Sequence, residues 1–238
     1  MRLEEYRSRW VKKHALRKVY QDLYKRMAAA SLPGKSLEIG AGIGNLELQI
    51  ENLFRIDIQK SPDVHVVADA HYLPFGNNTF SNVILFDVLH HLECPLIFLA
   101  EAERVLIPGG RVIMIEPGIT PLSRLLYSLG HEEPVDMTWD PRVPCKPRRG
   151  KDPYESNQAI PTLLFKKYFH VLGESAISLN ILENHWLSLF SYPLSGGFKA
   201  WSLIPDSWVE PLLKIEEKLL PRLGRIMAFR LMIVLKKA

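Results

Sequence analysis

The residues with the most chemistry in their order are Ser36-Leu37-Glu38-Ile39-Gly40-Ala41-Gly42-Ile43-Gly44-Asn45. A short apolar run carries an acid and enters a loop with glycine at every second position. Glycine has no Cβ, so a backbone there can turn tightly and come close to a ligand. A strand, a Gly-rich turn and a helix start together make a cradle of the nucleotide-binding kind. The glycines fall as G-x-G-x-G, not as the dinucleotide fingerprint G-x-G-x-x-G. Phe54-Arg55-Ile56-Asp57-Ile58 reads as a second strand ending in an acid. A carboxylate at that place suits a ribose diol, because it accepts two hydrogen bonds. Val64 to Ala70 reads as a third strand that closes on Asp69.

Three further motifs follow in order: Asp69-Ala70 with Leu73-Pro74-Phe75, then Asp87-Val88-Leu89-His90-His91, then Arg104-Val105-Leu106 with Pro108-Gly109-Gly110. With the glycine loop, this series resembles the class I S-adenosylmethionine (SAM) dependent methyltransferases. It is similar to their small-molecule branch, which includes the ubiquinone/menaquinone methyltransferases. The resemblance covers residues 34 to 118. It implies SAM as cofactor. Glu38 would serve the methionine end or orient the loop, with Gly40, Ala41, Gly42 and Gly44 around the ligand. Asp57, with Ile58 beside it, would meet the ribose. Asp69 and Ala70 would take the adenine edge, and Asp87 and Leu89 lie where the fourth strand passes under the cofactor. Only nineteen positions separate Glu38 from Asp57, so the first helix of the fold must be short.

Methyl transfer from a sulfonium is an in-line displacement, in which the protein mainly orients and desolvates the nucleophile. A base is needed only when the acceptor must lose a proton. His90 and His91 follow the fourth strand, near where the methyl should point, and are the candidate base; the competing reading is that they pack or satisfy backbone groups. His131, Glu132 and Glu133 read as a base with its orienter, as metal ligands, or as solvated loop charge. No His/Cys grouping has metal-ligand spacing, so no metal is expected. Pro144-Cys145 resembles a nucleophilic-cysteine motif but stands after the fifth strand, the wrong segment for it. The aromatic loop of amino-directed DNA methyltransferases is missing after the fourth strand, so no nucleic acid is expected. Two other readings stay open: a SAM-binding regulator without catalysis, and a Rossmann oxidoreductase, which the glycine spacing disfavours.

The elements that must hold these residues are those of an α/β fold. Strands near 36–40, 54–58, 64–68, 82–87 and 111–116 alternate with helices, which argues for a parallel sheet covered on both faces. Two more strands fit near 175–182 and 229–235. The resemblance implies a Rossmann-like sheet of seven strands, mostly parallel, with the last antiparallel. The chain of 238 residues reads as one methyltransferase domain over 31–238, preceded by a basic amphipathic helix over 1–30. That helix holds nine Lys/Arg against three acids, and Leu16, Val19, Tyr20, Leu23, Tyr24 and Met27 recur at helical spacing. Its basic face is solvated, touches an anionic membrane surface, or meets nucleic acid. Insertions at about 117–168 and 184–228 are too long for plain connections. The first is rich in Pro and carries Arg142, Lys146, Arg148 and Arg149; the second carries Trp186, Phe190, Tyr192, Phe198, Trp201 and Trp208. They are candidate walls of a pocket for a small or amphipathic acceptor, lipid- or saccharide-linked, and the run Lys146 to Lys151 reads as a mobile loop. Otherwise the aromatics fill a second core or face a partner copy in a homodimer. No run is long and apolar enough for a membrane span. With no visible secretory signal and only Cys94 and Cys145, the expectation is a cytoplasmic protein with free thiols.

Overall fold

The computed structural model describes residues 3–48, 50–130, 133–148 and 150–238. His131, Glu132 and Arg149 lie outside them. In chain order the strands are β1 (Ser36–Ile39), β2 (Leu53–Asp57), β3 (Val66–Val67), β4 (Phe80–Phe86), β5 (Leu106–Pro117), β6 (Leu179–Leu187) and β7 (Arg230–Lys237). They form one sheet in the order β3-β2-β1-β4-β5-β7-β6. Pairing is parallel from β3 to β5, while β7 runs antiparallel to both β5 and β6. The expected α/β sheet of seven strands with an antiparallel last strand is therefore present.

Side chains alternate across a strand, and the central strands show where each face goes. Val83, Leu85, Val112, Met114, Leu231, Ile233 and Leu235 join one core, which α3 (Pro95–Val105) covers through Phe98, Leu99 and Ala102. Ile84, Ile113, Ile115, Met232 and Val234 join the other core, with Leu16, Val19, Tyr20, Leu23, Tyr24 and Met27. Those six come from α2 (His14–Ala30), which follows α1 (Leu3–Lys12). Each large side chain so buried contributes ~1.5–3 kcal/mol. The apolar face of α2 is thus spent inside the fold.

Local expectations held where the chain's own spacing sets them. A single 3₁₀ turn, Asn45–Leu48, stands where a full first helix would otherwise lie, as the short Glu38–Asp57 interval requires. Pro108-Gly109-Gly110 forms an irregularity within β5, where the register jumps from Phe80↔Leu106 to Asn82↔Arg111. Two readings are corrected. The sixth strand runs to Leu187, so Trp186 belongs to the sheet and not to an insertion. Cys94 and Cys145 are joined in a disulfide, Cα–Cα 5.6 Å, so the free thiols expected of a reducing compartment are not what the fold holds. Among the described residues, no helix is long and apolar enough to cross a membrane.

One lysine organises the second insertion. Lys13 Nζ, at the break between α1 and α2, donates to the carbonyls of Ser195 (2.7 Å), Lys199 (2.9 Å) and Trp201 (2.9 Å), and also to Gly197. An ammonium has three protons, so four carbonyls share it. They curl round it because Gly196 and Gly197 adopt left-handed φ of 72° and 51°. Lys13→Met should therefore lower stability by ~1–3 kcal/mol, the cost of leaving such groups unpaired. Amide hydrogen exchange should rise across 196–203 first; unchanged exchange there would refute the clasp.

Candidate functional site

The carboxyl ends of β1, β2 and β4 open into a cavity of about 1670 Å³. Gly40 sits at its floor with φ 68°, and a Cβ there would meet Val88 Cγ2 at 2.4 Å, so only glycine lets the loop pass β4. Gly42 has φ 53°, and its Cβ would meet nothing nearer than Gly40 O at 3.9 Å. The loop is held at that point from both sides. Asp57 Oδ2 accepts from Gly42 N at 2.9 Å, and Ser61 Oγ donates to Gly42 O at 3.0 Å. Asp57 Oδ1 accepts from Gln59 N at 2.8 Å. The strand-end acid therefore shapes the glycine loop as well as facing the cavity.

Glu38, Gly40, Ala41, Gly42, Asp57, Ile58, Asp69, Ala70 and Asp87 all line this cavity. Ile58 and Tyr72 are about half exposed or more while lining it, and they offer apolar surface to a planar ring. Asp69 Oδ1 accepts from His71 N at 2.9 Å and meets His71 Nδ1 at 2.7 Å. Two sequence candidates lie elsewhere. Leu89 is fully buried in the core beside Leu85 and Phe98. Gly44 is absent from the lining; a Cβ there would meet Asp63 Cβ at 2.8 Å and Arg55 at 2.9 Å. Its glycine answers to packing of the loop on the 55–63 segment. The Leu73-Pro74-Phe75 and Arg104 motifs are also scaffold: Arg104 donates to Leu73 O at 2.9 Å and Phe75 O at 2.7 Å, while Leu73 N donates to Glu101.

Beyond β4 the wall changes character. Glu116, at the end of β5 and fully buried, accepts from Val88 N (2.9 Å) and Leu89 N (2.7 Å) through Oε1 and from His90 Nδ1 (2.7 Å) through Oε2. His90 Nε2 lies 3.4 Å from Glu133 Oε2. Burial opposes charge on His90, but hydrogen bonds to the two carboxylates outweigh it and hold its pKa up at about 9. Both ring nitrogens of His90 are thus turned to carboxylates, Nδ1 to Glu116 and Nε2 to Glu133, and neither is directed at open space as a base would be. His91 goes the other way: burial, then the adjacent His90, push it down to about 4. It is neutral at pH 7 and faces the cavity, and its Nδ1 is out of water without a hydrogen-bond partner.

The first insertion is tied to this turn and does not hang free. Asn157 N donates to His90 O at 2.8 Å and Lys151 Nζ to His91 O at 2.6 Å. Cys145 is bonded to Cys94, and Arg148 pairs with Glu93 and Glu155. The run Lys146 to Lys151, expected as a mobile loop, passes outside the described residues at Arg149; its Arg148 and Lys151 bond to the turn and to Glu155. Asp87, with a left-handed φ of 57°, pairs with Arg230 of β7. Burial raises the Asp87 pKa, and the guanidinium pulls against that rise. Arg230 lies over the Tyr192 ring at 4.1 Å. The remaining wall is apolar and aromatic: Tyr6, Tyr20, Tyr127, Tyr192, Phe198 and Trp201. Of the aromatics expected in the second insertion, Tyr192, Phe198 and Trp201 reach the cavity, whereas Phe190, Trp208 and the sheet residue Trp186 do not. Sequence reading gave no role to Glu116 or Arg230. The signal they left was a charge directly flanking an apolar run, Glu116 after 112–115 and Arg230 before 231–235.

Comparison with known proteins fits this geometry. The family described as "Methyltransferase domain" matches residues 37–114, the span from the glycine strand into β5. No protein of curated function matches the chain in sequence. A SAM-dependent methyltransferase from Archaeoglobus fulgidus superposes with a TM-score of 0.52 at 15% identity, covering 93% of this chain and 94% of that one. Geranyl diphosphate C-methyltransferase from Streptomyces coelicolor A3(2), solved with Mg2+, geranyl diphosphate and S-adenosyl-L-homocysteine, gives 0.53 at 11% identity, covering 93% and 77%. Such identities speak for the fold. SAM fits the residues present: the space before Gly42 is one a side chain would fill, and two strand-end acids border it. Residues 37–114 thus match a methyltransferase domain, and the sheet that holds them is of the class I SAM-dependent methyltransferase type.

Proposed function

We propose that the methyl acceptor is an amphipathic molecule with a bulky apolar body, held beyond β4 while SAM occupies the glycine side. The size and two-part lining of the cavity carry this reading. Single-ligand pockets run to ~300–1,000 Å³, and this one is about 1670 Å³. Its cofactor half is polar backbone and strand-end acids; its other half is Tyr6, Tyr20, Tyr127, Tyr192, Phe198 and Trp201, with Lys146 and Lys199 among the lining cations. The solved geranyl diphosphate enzyme has this fold and carries an apolar chain on an anionic head beside its nucleoside, so the fold accommodates such a shape. The small-molecule branch suggested by the motifs is consistent with the same reading.

When bound, SAM supplies a methyl group on a positively charged sulfur. The residues of this chain would do the rest. Glu38 and the 40–42 backbone hold the methionine end, Asp57 the ribose and Asp69 the adenine edge. Asp87, locked by Arg230, fixes the wall between the two halves. The aromatic surface excludes water and orients the acceptor, which is the main demand of a displacement reaction. His91, which lines the cavity on that side, would meet the reacting group.

These roles make measurable claims. Asp57→Ala should weaken SAM binding by ~1.5–3 kcal/mol, the worth of hydrogen bonds to a charged group. Gly42→Leu should abolish it with the fold intact by circular dichroism. Unchanged affinity by calorimetry in both variants would overturn the cofactor assignment. With methyl-labelled SAM and fractionated lysate, the label should enter a compound that partitions into organic solvent. Label found only in water-soluble metabolites, nucleic acid or protein would sink the acceptor class. Once that acceptor is in hand, Trp201→Ala should raise its KM while SAM affinity stays. His91→Ala should lower turnover by more than about tenfold; a smaller loss returns His91 to packing.

A further inference from the structure

We propose that His90, His91 and Glu133 bind a first-row transition-metal dication on the acceptor side of the cavity, with one coordination position left open to an oxygen or nitrogen of the acceptor. The inference rests on reading this cavity as the transfer site. One ring nitrogen from each histidine and a Glu133 carboxylate oxygen lie within 4.8 Å of one another. All three residues line the cavity. Donors bound at ~2.0–2.1 Å in tetrahedral geometry sit ~3.4 Å apart, and His90 Nε2 stands 3.4 Å from Glu133 Oε2. A charged hydrogen bond between those atoms would close to ~2.7–2.9 Å. In the metal-free chain a proton is shared across this longer gap; a dication of that size would take its place, with the Nε2 proton released to solvent.

The surrounding groups are those that a metal centre uses. Glu116 takes His90 Nδ1 at 2.7 Å, which turns Nε2 toward Glu133, as outer carboxylates do for metal-bound histidines. Glu133 is itself aimed by Ser156 Oγ at 2.9 Å and by Gln158 Nε2. His91 Nδ1 is withdrawn from water with no hydrogen-bond partner, and the ring lies 4.2 Å from that of His90, centroid to centroid. Two imidazoles and one carboxylate suit zinc, cobalt, iron or manganese; magnesium prefers oxygen ligands throughout. A second grouping, Asp87 with His90 and Glu116, is already closed by Arg230 and by the Val88 and Leu89 amides. Only the first grouping faces open space. Three protein ligands with a free fourth position is the pattern of a catalytic metal site, not a structural one. The 42-residue gap between His91 and Glu133 hides it from any spacing rule.

The test uses the full chain without an affinity tag. Protein purified without chelator is assayed for metals by mass spectrometry, then stripped with EDTA and titrated with Zn2+, Mn2+ and Mg2+ by calorimetry. One equivalent of Zn2+ or Mn2+ per chain is expected, with Mg2+ much weaker. Co2+ loading should give visible d–d absorption. His91→Ala and Glu133→Gln should each weaken binding by 100-fold or more, and Glu116→Gln by ~10–100-fold, while SAM affinity stays near that of the wild type. No stoichiometric ion, or an ion that binds the His91→Ala and Glu133→Gln variants as well as the wild type, would overturn the site. If Glu116→Gln fails to fold, the His91 and Glu133 variants decide alone. Loss of SAM binding by the unaltered protein would instead strike the cavity reading, so the two failures are distinguishable.

Discussion

The site hangs on the carboxylate of Glu116. It is buried at the end of β5 and accepts three hydrogen bonds from the turn after β4. Burying a carboxylate is costly unless it is hydrogen-bonded and balanced by charge. Here two amides and the His90 ring do both. Burial alone would raise the Glu116 pKa; these contacts reverse that and keep it below the ordinary carboxylate range. The same contacts fix where Val88 stands, and Val88 in turn dictates that residue 40 be glycine. They fix the His90 ring, and through it the place of Glu133 and of the whole 133–158 segment. One buried acid thus couples the glycine loop at the cavity floor to the His90 and Glu133 wall.

A second buried pair sets the other side. Arg230 and Asp87 are mutually neutralising and lie among Tyr20, Tyr127 and Tyr192. Removing either partner alone would leave an uncompensated charge, which costs far more than the pair contributes. The pair therefore ties β7 to the turn after β4 at the cavity wall. The 196–203 loop curled round Lys13 and the exposed Leu126 and Leu129 of the 121–130 helix complete the lining on that side.

The disulfide adds a covalent tie between the His90-His91 turn and the first insertion. Sequence reading of two cysteines 51 residues apart favours free thiols, because a pair says nothing about proximity. In the fold, the 90–94 turn and the 145–158 loop are already joined by hydrogen bonds and an ion pair. The two sulfurs are brought together by contacts that no local pattern encodes.

What the sequence determined by itself is the cofactor side. Glu38, Gly40, Gly42 and Asp57 fall within twenty positions, on two adjacent strands and the turn between them, so strand period and glycine spacing suffice to place them. The helix shortened to one 3₁₀ turn follows from the same count. The alternation of buried residues in β4, β5 and β7 was equally legible, since a strand covered on both faces must be apolar throughout. The tertiary structure alone decided the aromatic side of the cavity. Tyr6, Tyr20, Tyr127, Glu133, Tyr192, Trp201 and Arg230 line it from the N-terminal helices, both insertions and β7. It alone showed Leu89 to be core and Gly44 to serve packing, and it alone set His90 between Glu116 and Glu133. The physical reason is range: backbone geometry is written in neighbouring residues, whereas a cavity wall and its charge balance exist only once distant segments have closed on one another.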